Sequence, residues 1–131
     1  MRLLIDTHYL IWLVDQPQRL TQVEHAMLRD RRNELAISSV SIWEIRLKFG
    51  ARHPSGERKG TVAPEAAIRV ANDLGLRIID MTERHAATTL DTPITHKDPF
   101  DELLLVQAQV EGMRLLTRDT LLASHPLALI A

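Results

Sequence analysis

Residues 2–8 read Arg-Leu-Leu-Ile-Asp-Thr-His, and the apolar run within them is too short for a helix. We interpret residues 2–5 as a buried β-strand, and residues 7–14 then show a helical pattern. Asp6 therefore stands directly after a strand and directly before a helix. An acid at this position either caps the helix or serves chemistry at the end of the strand.

Predicted strands and helices alternate along the rest of the chain. Glycines follow three of the predicted helices, and Thr21 with Glu24 forms a capping box. Further helices are predicted at 21–31, 38–49, 64–74, 82–90 and 98–111. Further strands are predicted at 35–37, 76–79 and 114–117. Residues 50–63 are predicted to form a mobile loop. This order predicts an α/β fold with a central parallel sheet sandwiched between helices, where ligands bind at the carboxyl ends of the strands.

The composition narrows the class of protein. The chain has 131 residues, of which 45% are hydrophobic, so we expect one domain over residues 1–131. It contains no cysteine, which excludes disulfides, thiolate metal sites and cysteine nucleophiles. Asp6 and His8 interrupt the apolar start, and no other stretch reaches the length of a membrane span. We therefore expect a cytoplasmic protein without a membrane anchor.

The formal net charge of -1 does not favour nucleic-acid binding over the whole surface. Such binding would need a local basic patch, and six basic residues lie close together in the middle of the chain. They are Arg46, Lys48, Arg52, His53, Arg58 and Lys59. The other interpretation of this group is a solvated helix end and loop.

Four acids fall where they can point toward one end of the predicted sheet. Asp6 and Asp119 follow strands, Asp101 lies in the first turn of a helix, and Glu44 lies within an apolar helix. Carboxylates gathered in one cleft repel each other unless a divalent cation neutralises them. Oxygen ligands favour Mg²⁺ or Mn²⁺, and such a site suits phosphodiester hydrolysis.

Each acid also has a structural explanation. Asp6 and Asp119 could cap the helices that follow them. Glu44 could pair with Lys48 one helical turn later, and Asp101 could interact with the helix dipole. Taken one at a time, these four signals are weak.

Two acids compete for the position that opens the long helix. Asp98 precedes Pro99, and proline is favoured at the first helical position, so Asp98 is predicted to be the N-cap. Asp101 then occupies the third helical position, one turn before Leu105 on an apolar face. This spacing aims Asp101 toward the sheet and assigns Asp98 a supporting role.

Four blocks in this order resemble the VapC-type toxins of the PIN-domain family, from Met1 to about Ala123. The blocks are Leu3-Leu4-Ile5-Asp6-Thr7-His8, Ser39-Val40-Ser41-Ile42-Trp43-Glu44-Ile45, His96-Lys97-Asp98-Pro99-Phe100-Asp101 continued by Leu103-Leu104-Leu105-Val106-Gln107-Ala108, and Thr117-Arg118-Asp119. Any one block alone is weak, whereas all four in the right order are specific.

The resemblance implies a PIN-like fold and an endoribonuclease toxin of a type II toxin-antitoxin system. It places a Mg²⁺ or Mn²⁺ site on Asp6, Glu44, Asp101 and Asp119, with the Thr117 hydroxyl near the metal. It also implies RNA as substrate, a small VapB-type antitoxin that lays a segment with an Arg or Lys along the cleft, and a homodimer.

Two positions depart from the family pattern. His8 stands where many members carry asparagine, and we expect it to be a core residue or a support for a ligand rather than a ligand itself. Glu102 replaces an arginine common in this branch, which removes a positive contact near the site.

Trp12 and Trp43 could stack on bases, but both lie in apolar helices and are predicted to pack in the core.

Two other functions remain open from the residues. One is a phosphatase that uses Asp6 as a covalent nucleophile, although the second aspartate expected two residues later is replaced by His8. The other is a catalytically silent PIN-like module that acts only within a protein complex. The presence of all four acids favours the nuclease over the silent module.

Overall fold

A five-stranded parallel sheet forms the centre of the protein. The computed structural model describes residues 1–131, and the strands are β1 (Arg2–Ile5), β2 (Glu34–Ser38), β3 (Arg77–Ile79), β4 (Arg114–Leu116) and β5 (Ala128–Leu129). The strand order is β3-β2-β1-β4-β5, and every neighbouring pair is parallel. The predicted α/β architecture is therefore confirmed, and β1 lies in the middle of the sheet.

Six helices connect the strands and cover both faces of the sheet. They are α1 (Thr7–Asp15), α2 (Gln22–Arg29), α3 (Ser39–Gly50), α4 (Pro64–Asp73), α5 (Glu83–Ala87) and α6 (Pro99–Glu111), with a short 3-10 helix at Pro17–Arg19. No helix combines the length and the apolar character needed to cross a membrane.

Successive side chains of the strands pack into two separate hydrophobic cores, one on each face of the sheet. In β1, Leu4 packs with α6, whereas Ile5 packs with α1 and α4 on the opposite face. Leu115 and Leu116 of β4 divide between the two cores in the same way. Because successive side chains of a strand point to opposite faces, a continuous apolar run fits a strand that is covered on both sides.

Several helix ends differ from the predicted ones. The helix predicted at 82–90 ends at Ala87, because the Thr88 hydroxyl donates to the Arg84 carbonyl and the chain turns away. The helix predicted at 21–31 ends at Arg29, after which the Asp30 carboxylate accepts from the backbone and side chain of Arg32. The capping box of Thr21 and Glu24 is confirmed.

The segment predicted as a loop at 50–63 contains a small hydrogen-bonded hairpin. Arg52 and Arg58 form an antiparallel bridge, and the Lys59 amide donates to the Ala51 carbonyl at 2.9 Å. Gly50 is the last residue of α3 rather than the first residue after it. The edge strand β5 was not predicted, because two residues are too few to show an alternating pattern.

The two tryptophans have different environments. Trp12 packs against the core on the α1 side of the sheet, in agreement with the prediction. Trp43 is 47% exposed and contacts Phe100, with the ring centroids 5.4 Å apart, so its predicted core position is wrong. An apolar stretch does not reveal which of its residues face a neighbouring helix.

Candidate active site

Asp6 and Thr117 meet where two neighbouring strands end. The Asp6 amide donates to the Leu116 carbonyl at 3.0 Å, which extends the pairing of β1 with β4 by one residue. The Thr117 hydroxyl donates to Asp6 Oδ2 at 2.6 Å and accepts from the Asp119 amide at 3.0 Å. Asp6 makes no side-chain cap to α1, so the capping interpretation of this residue is wrong.

The first turn of α6 separates the roles of its two acids. Asp98 is the N-cap, and its carboxylate accepts from the Phe100 amide at 2.9 Å, as the Asp-Pro pair predicts. Asp101 is half-buried two residues after Pro99, and its Oδ2 lies 2.9 Å from His96 Nε2. The sequence-based division between a capping Asp98 and an inward Asp101 is confirmed.

His96, Asp101 and Asp119 form a group with the spacing of metal ligands. Each offers one ligand atom, and these atoms all lie within 4.8 Å of one another. Two carboxylates and an imidazole are suitable donors for a divalent cation such as Mn²⁺ or Mg²⁺. His96 did not emerge from the sequence as a candidate ligand, because its approach to Asp101 depends on the turn before α6.

The ionisation of Asp101 reflects its burial first and then the negative charges around it. Burial, together with the negative charges of Asp98, Asp6 and Asp119, raises the pKa of Asp101 to about 6. The hydrogen bond with His96 opposes the shift. A bound cation would remove this repulsion, so the residues present fit a divalent metal.

Asp6 keeps its charge despite being buried. Burial raises the pKa of Asp6, but the interaction with His8 and the hydrogen bond from Thr117 outweigh it and hold this pKa below its ordinary value. His8 Nδ1 lies 3.7 Å from Asp6 Oδ1, and the His8 side chain is 58% exposed. The expected core position of His8 is therefore wrong, while its place beside Asp6 agrees with a supporting role.

Asp6 is linked to the group of His96, Asp101 and Asp119 only through Thr117, and Glu44 makes no hydrogen bond with that group. It lies on α3 and pairs with Lys48 at 3.6 Å, as the structural explanation of this residue predicted. The hydrogen bond with Asp6 raises the pKa of His8 against the effect of burial, and the charge of the Glu44 carboxylate adds to this rise. The structure thus brings Asp101 and Asp119 together, joins Asp6 to them through Thr117 and leaves Glu44 paired nearby.

A cleft of about 440 Å³ opens beside these acids. Its lining is Asp6, His8, Tyr9, Trp12, Arg19, Arg118 and Asp119. The Arg118 guanidinium pairs with the buried Glu24 and lies over the Trp12 ring, 4.4 Å from its centroid. The lining of this cleft therefore combines carboxylates, a cation and aromatic rings. Neither Arg118 nor Glu24 was predicted as a site residue, because the two are distant in sequence.

The six residues of the predicted basic patch do not line this cleft. Several of them are engaged within their own segment. Arg52 Nη1 donates to the Gly56 carbonyl at 3.0 Å, and Arg58 Nη1 donates to the Phe49 carbonyl at 2.9 Å. Lys48 Nζ lies 3.6 Å from Oε2 of Glu44, one of the predicted site acids.

Comparison with known proteins agrees with this fold. The model of the PIN domain family matches residues 3–126. A relative from Mycobacterium tuberculosis, Ribonuclease VapC22, is 30% identical over 128 residues, which cover 93% of this chain and 90% of the relative. This chain belongs to the PIN domain family.

Two solved structures share the fold. One is described as a toxin-antitoxin complex from Klebsiella pneumoniae, with a TM-score of 0.62, 20% identity and coverage of 97% of this chain and 95% of that chain. The other is VapBC2 from Rickettsia felis bound to a promoter DNA fragment, with a TM-score of 0.62, 16% identity and coverage of 100% and 98%. At these identities the likeness shows the fold alone.

Proposed function

We propose that this protein is a Mg²⁺- or Mn²⁺-dependent endoribonuclease, the toxin of a type II toxin-antitoxin system. The observation that carries the proposal is the group of Asp101, Asp119 and His96 beside the buried Asp6, at the carboxyl end of a parallel sheet. Membership of the PIN domain family and the similarity to a protein named as a VapC ribonuclease support the same activity.

The proposed metal ligands are Asp6, Glu44, Asp101 and Asp119, and His96, in one group with Asp101 and Asp119, offers a further donor. When bound, a divalent cation lowers the pKa of a water and stabilises negative charge on the phosphate. Thr117 donates to Oδ2 of Asp6, whereas Oδ1 lies 3.7 Å from Nδ1 of His8, which lines the same cleft. Asp98 holds the first turn of α6, which fixes the position of Asp101. Glu44 would have to leave Lys48 to join the site, a rotation that a side chain on a helix surface permits.

The proposed regulator is a small VapB-type antitoxin, since a structural neighbour is a VapBC assembly and another is named a toxin-antitoxin complex. An antitoxin segment that brings an Arg or Lys to the acids would displace both the cation and the RNA. We further propose that the chain acts in the cytoplasm as one domain over residues 1–131 and forms a homodimer.

The test is expression of the wild type and of Asp6→Asn, followed by RNA cleavage with the purified proteins. The substitution is nearly isosteric and removes one ligand charge, so growth arrest and cleavage should disappear while the protein stays folded. Asp73→Asn makes the same change at the exposed end of α4 and should behave as the wild type. A folded Asp6→Asn protein that cuts RNA at the wild-type rate would refute the proposal.

A further inference from the structure

Arg118 is held in the cleft by a side chain that solvent hardly reaches. The Glu24 carboxylate is 1% exposed, and its Oε2 accepts from Arg118 Nε at 2.8 Å while its Oε1 accepts from Nη2. Arg118 Nη2 also donates to the Arg19 carbonyl at 2.6 Å. Burial raises the pKa of Glu24, but hydrogen bonds led by those from Arg118 outweigh it and bring this pKa to about 2. The pair is therefore fully charged at neutral pH.

These contacts leave one nitrogen of Arg118 for a ligand. Its guanidinium lies over Trp12, and Nη1 makes no hydrogen bond within the protein, while the side chain keeps 35% of its surface exposed. The same residue lines the cleft with Asp6 and Asp119. A guanidinium fixed in this way loses little conformational freedom when it binds an anion.

The charge balance of the cleft explains why a fixed cation is needed there. RNA carries a phosphate at each nucleotide, and the acids of the site repel it. A cation a short distance from the acids attracts a neighbouring phosphate without neutralising the metal ligands. For stability alone, an apolar pair in place of Glu24 and Arg118 would serve as well, because buried ion pairs rarely exceed hydrophobic replacements.

We propose that Arg118 Nη1 binds a backbone phosphate of the RNA, next to the phosphate that is cleaved, and that Glu24 positions it. This inference rests on the proposed ribonuclease function and adds a substrate contact to it. Trp12 supports the guanidinium plane from below. Arg19 lines the same cleft, and its carbonyl accepts a hydrogen bond from Arg118. Arg19 therefore also supports this subsite.

The test compares Arg118→Gln with Arg69→Gln, which removes the same charge from an exposed position on α4 outside the cleft. Binding of a short fluorescent single-stranded RNA is followed by anisotropy in EDTA over a series of salt concentrations. Arg118→Gln should weaken binding about tenfold and reduce the slope of log affinity against log salt by about 0.7, the value of one phosphate contact on a single strand. Arg69→Gln should change neither quantity.

Cleavage kinetics with Mn²⁺ give a second readout. Arg118→Gln should raise KM about tenfold and change kcat less than about threefold, because the contact is made to RNA in the ground state and the transition state alike. Since Arg118→Gln leaves Glu24 buried without its partner, the double variant Glu24→Gln, Arg118→Gln is measured beside it, and it should lose the same salt slope.

Glu24→Gln alone separates positioning from charge. It keeps the Arg118 cation but loosens it, so the salt slope should stay near that of the wild type while KM rises. A salt slope and KM for Arg118→Gln and the double variant equal to those of Arg69→Gln would overturn the inference. A wild-type protein that neither binds nor cuts RNA would instead refute the proposed function itself.

Discussion

A single hydroxyl organises two of the acids at the residue scale. Thr117 donates to the carboxylate of Asp6 and accepts from the backbone of Asp119, so a change at this residue would disturb both. The threonine is fully buried, and no local sequence pattern shows that its hydroxyl makes both bonds. The resemblance of the block Thr117-Arg118-Asp119 implies that the Thr117 hydroxyl lies near the metal. The structure adds its hydrogen bonds with Asp6 and Asp119.

The sequence predicted some residues of the site better than others. Asp6, Asp101 and Asp119 could be found because each adjoins the end of a strand or the start of a helix, which the hydrophobic pattern locates. His96 could not, since its contact with Asp101 depends on the irregular turn before α6. Arg118 and Glu24 come together from opposite ends of the chain, a pairing that no local pattern reports.

Substitution of the two acids in the first turn of α6 should separate catalysis from stability. Asp101→Asn should abolish RNA cleavage with little loss of stability, because the side chain faces the other acids. Asp98→Ala should cost about 1 kcal/mol of unfolding free energy through the lost cap and keep substantial activity. Melting and cleavage assays on both variants check this. A stable but inactive Asp98→Ala beside an active Asp101→Asn would reverse the two roles.

At the scale of elements, the helices agree with the sequence in their existence and differ in their ends. A hydrophobic pattern reports which residues face the core, but a helix ends where backbone groups find other partners. The Arg84 carbonyl accepts from the Thr88 hydroxyl, and α5 ends at this point. Helix α3, in contrast, continues through Gly50. Gly112, in contrast, ends α6 in the left-handed conformation, with a φ of 65°.

The glycines at the ends of α3 and α6 should respond differently to alanine. Gly112→Ala should lower the unfolding free energy by about 1 kcal/mol, because a Cβ disfavours the left-handed conformation. Gly50→Ala is the matched control. A Cβ there meets no atom within 4 Å, and alanine should leave stability unchanged or raise it by a few tenths, roughly, of a kcal/mol. Urea unfolding of both variants measures the difference, and equal destabilisation would show that Gly112 does not need its conformation.

At the scale of the whole molecule, the strand order decides which acids meet. β1 lies between β2 and β4, and Ile5 pairs with Leu116, so Asp6 and Thr117 follow partner residues in neighbouring strands. The alternation of strands and helices predicted a parallel sheet but not this order. The order depends on long-range packing between segments more than a hundred residues apart, as shown by the separation of 111 between Asp6 and Thr117.

The raised pKa of Asp101 predicts a pH dependence of stability in the metal-free protein. Because the folded pKa of about 6 exceeds the unfolded value of 3.8, the folded state holds a proton that the unfolded state has released between these values. The contribution of Asp101 to the unfolding free energy is fully present below pH 3.8. It is lost as pH rises through 6, which lowers the unfolding free energy by up to about 3 kcal/mol. Above pH 6, saturating Mn²⁺ should restore it by mass action.

Asp101→Asn is the control for this pH effect, since the amide cannot titrate. The difference in unfolding free energy between wild type and Asp101→Asn, measured from pH 4 to pH 7 in EDTA, should shift against the wild type as pH rises. A difference that stays constant across this range would show that neither burial nor the neighbouring acids raise the pKa of Asp101.

The Mn²⁺ dependence of RNA cleavage, measured for the wild type and Asp101→Asn under identical conditions, tests the central claim most directly. The wild type should be inactive in EDTA, and its rate should rise with Mn²⁺ and level off as the site fills. Asp101→Asn should remain at least about 100-fold slower at every concentration. Cleavage by the wild type in EDTA at the rate seen with Mn²⁺, or equal rates for the two proteins, would contradict a metal-dependent nuclease built on these acids.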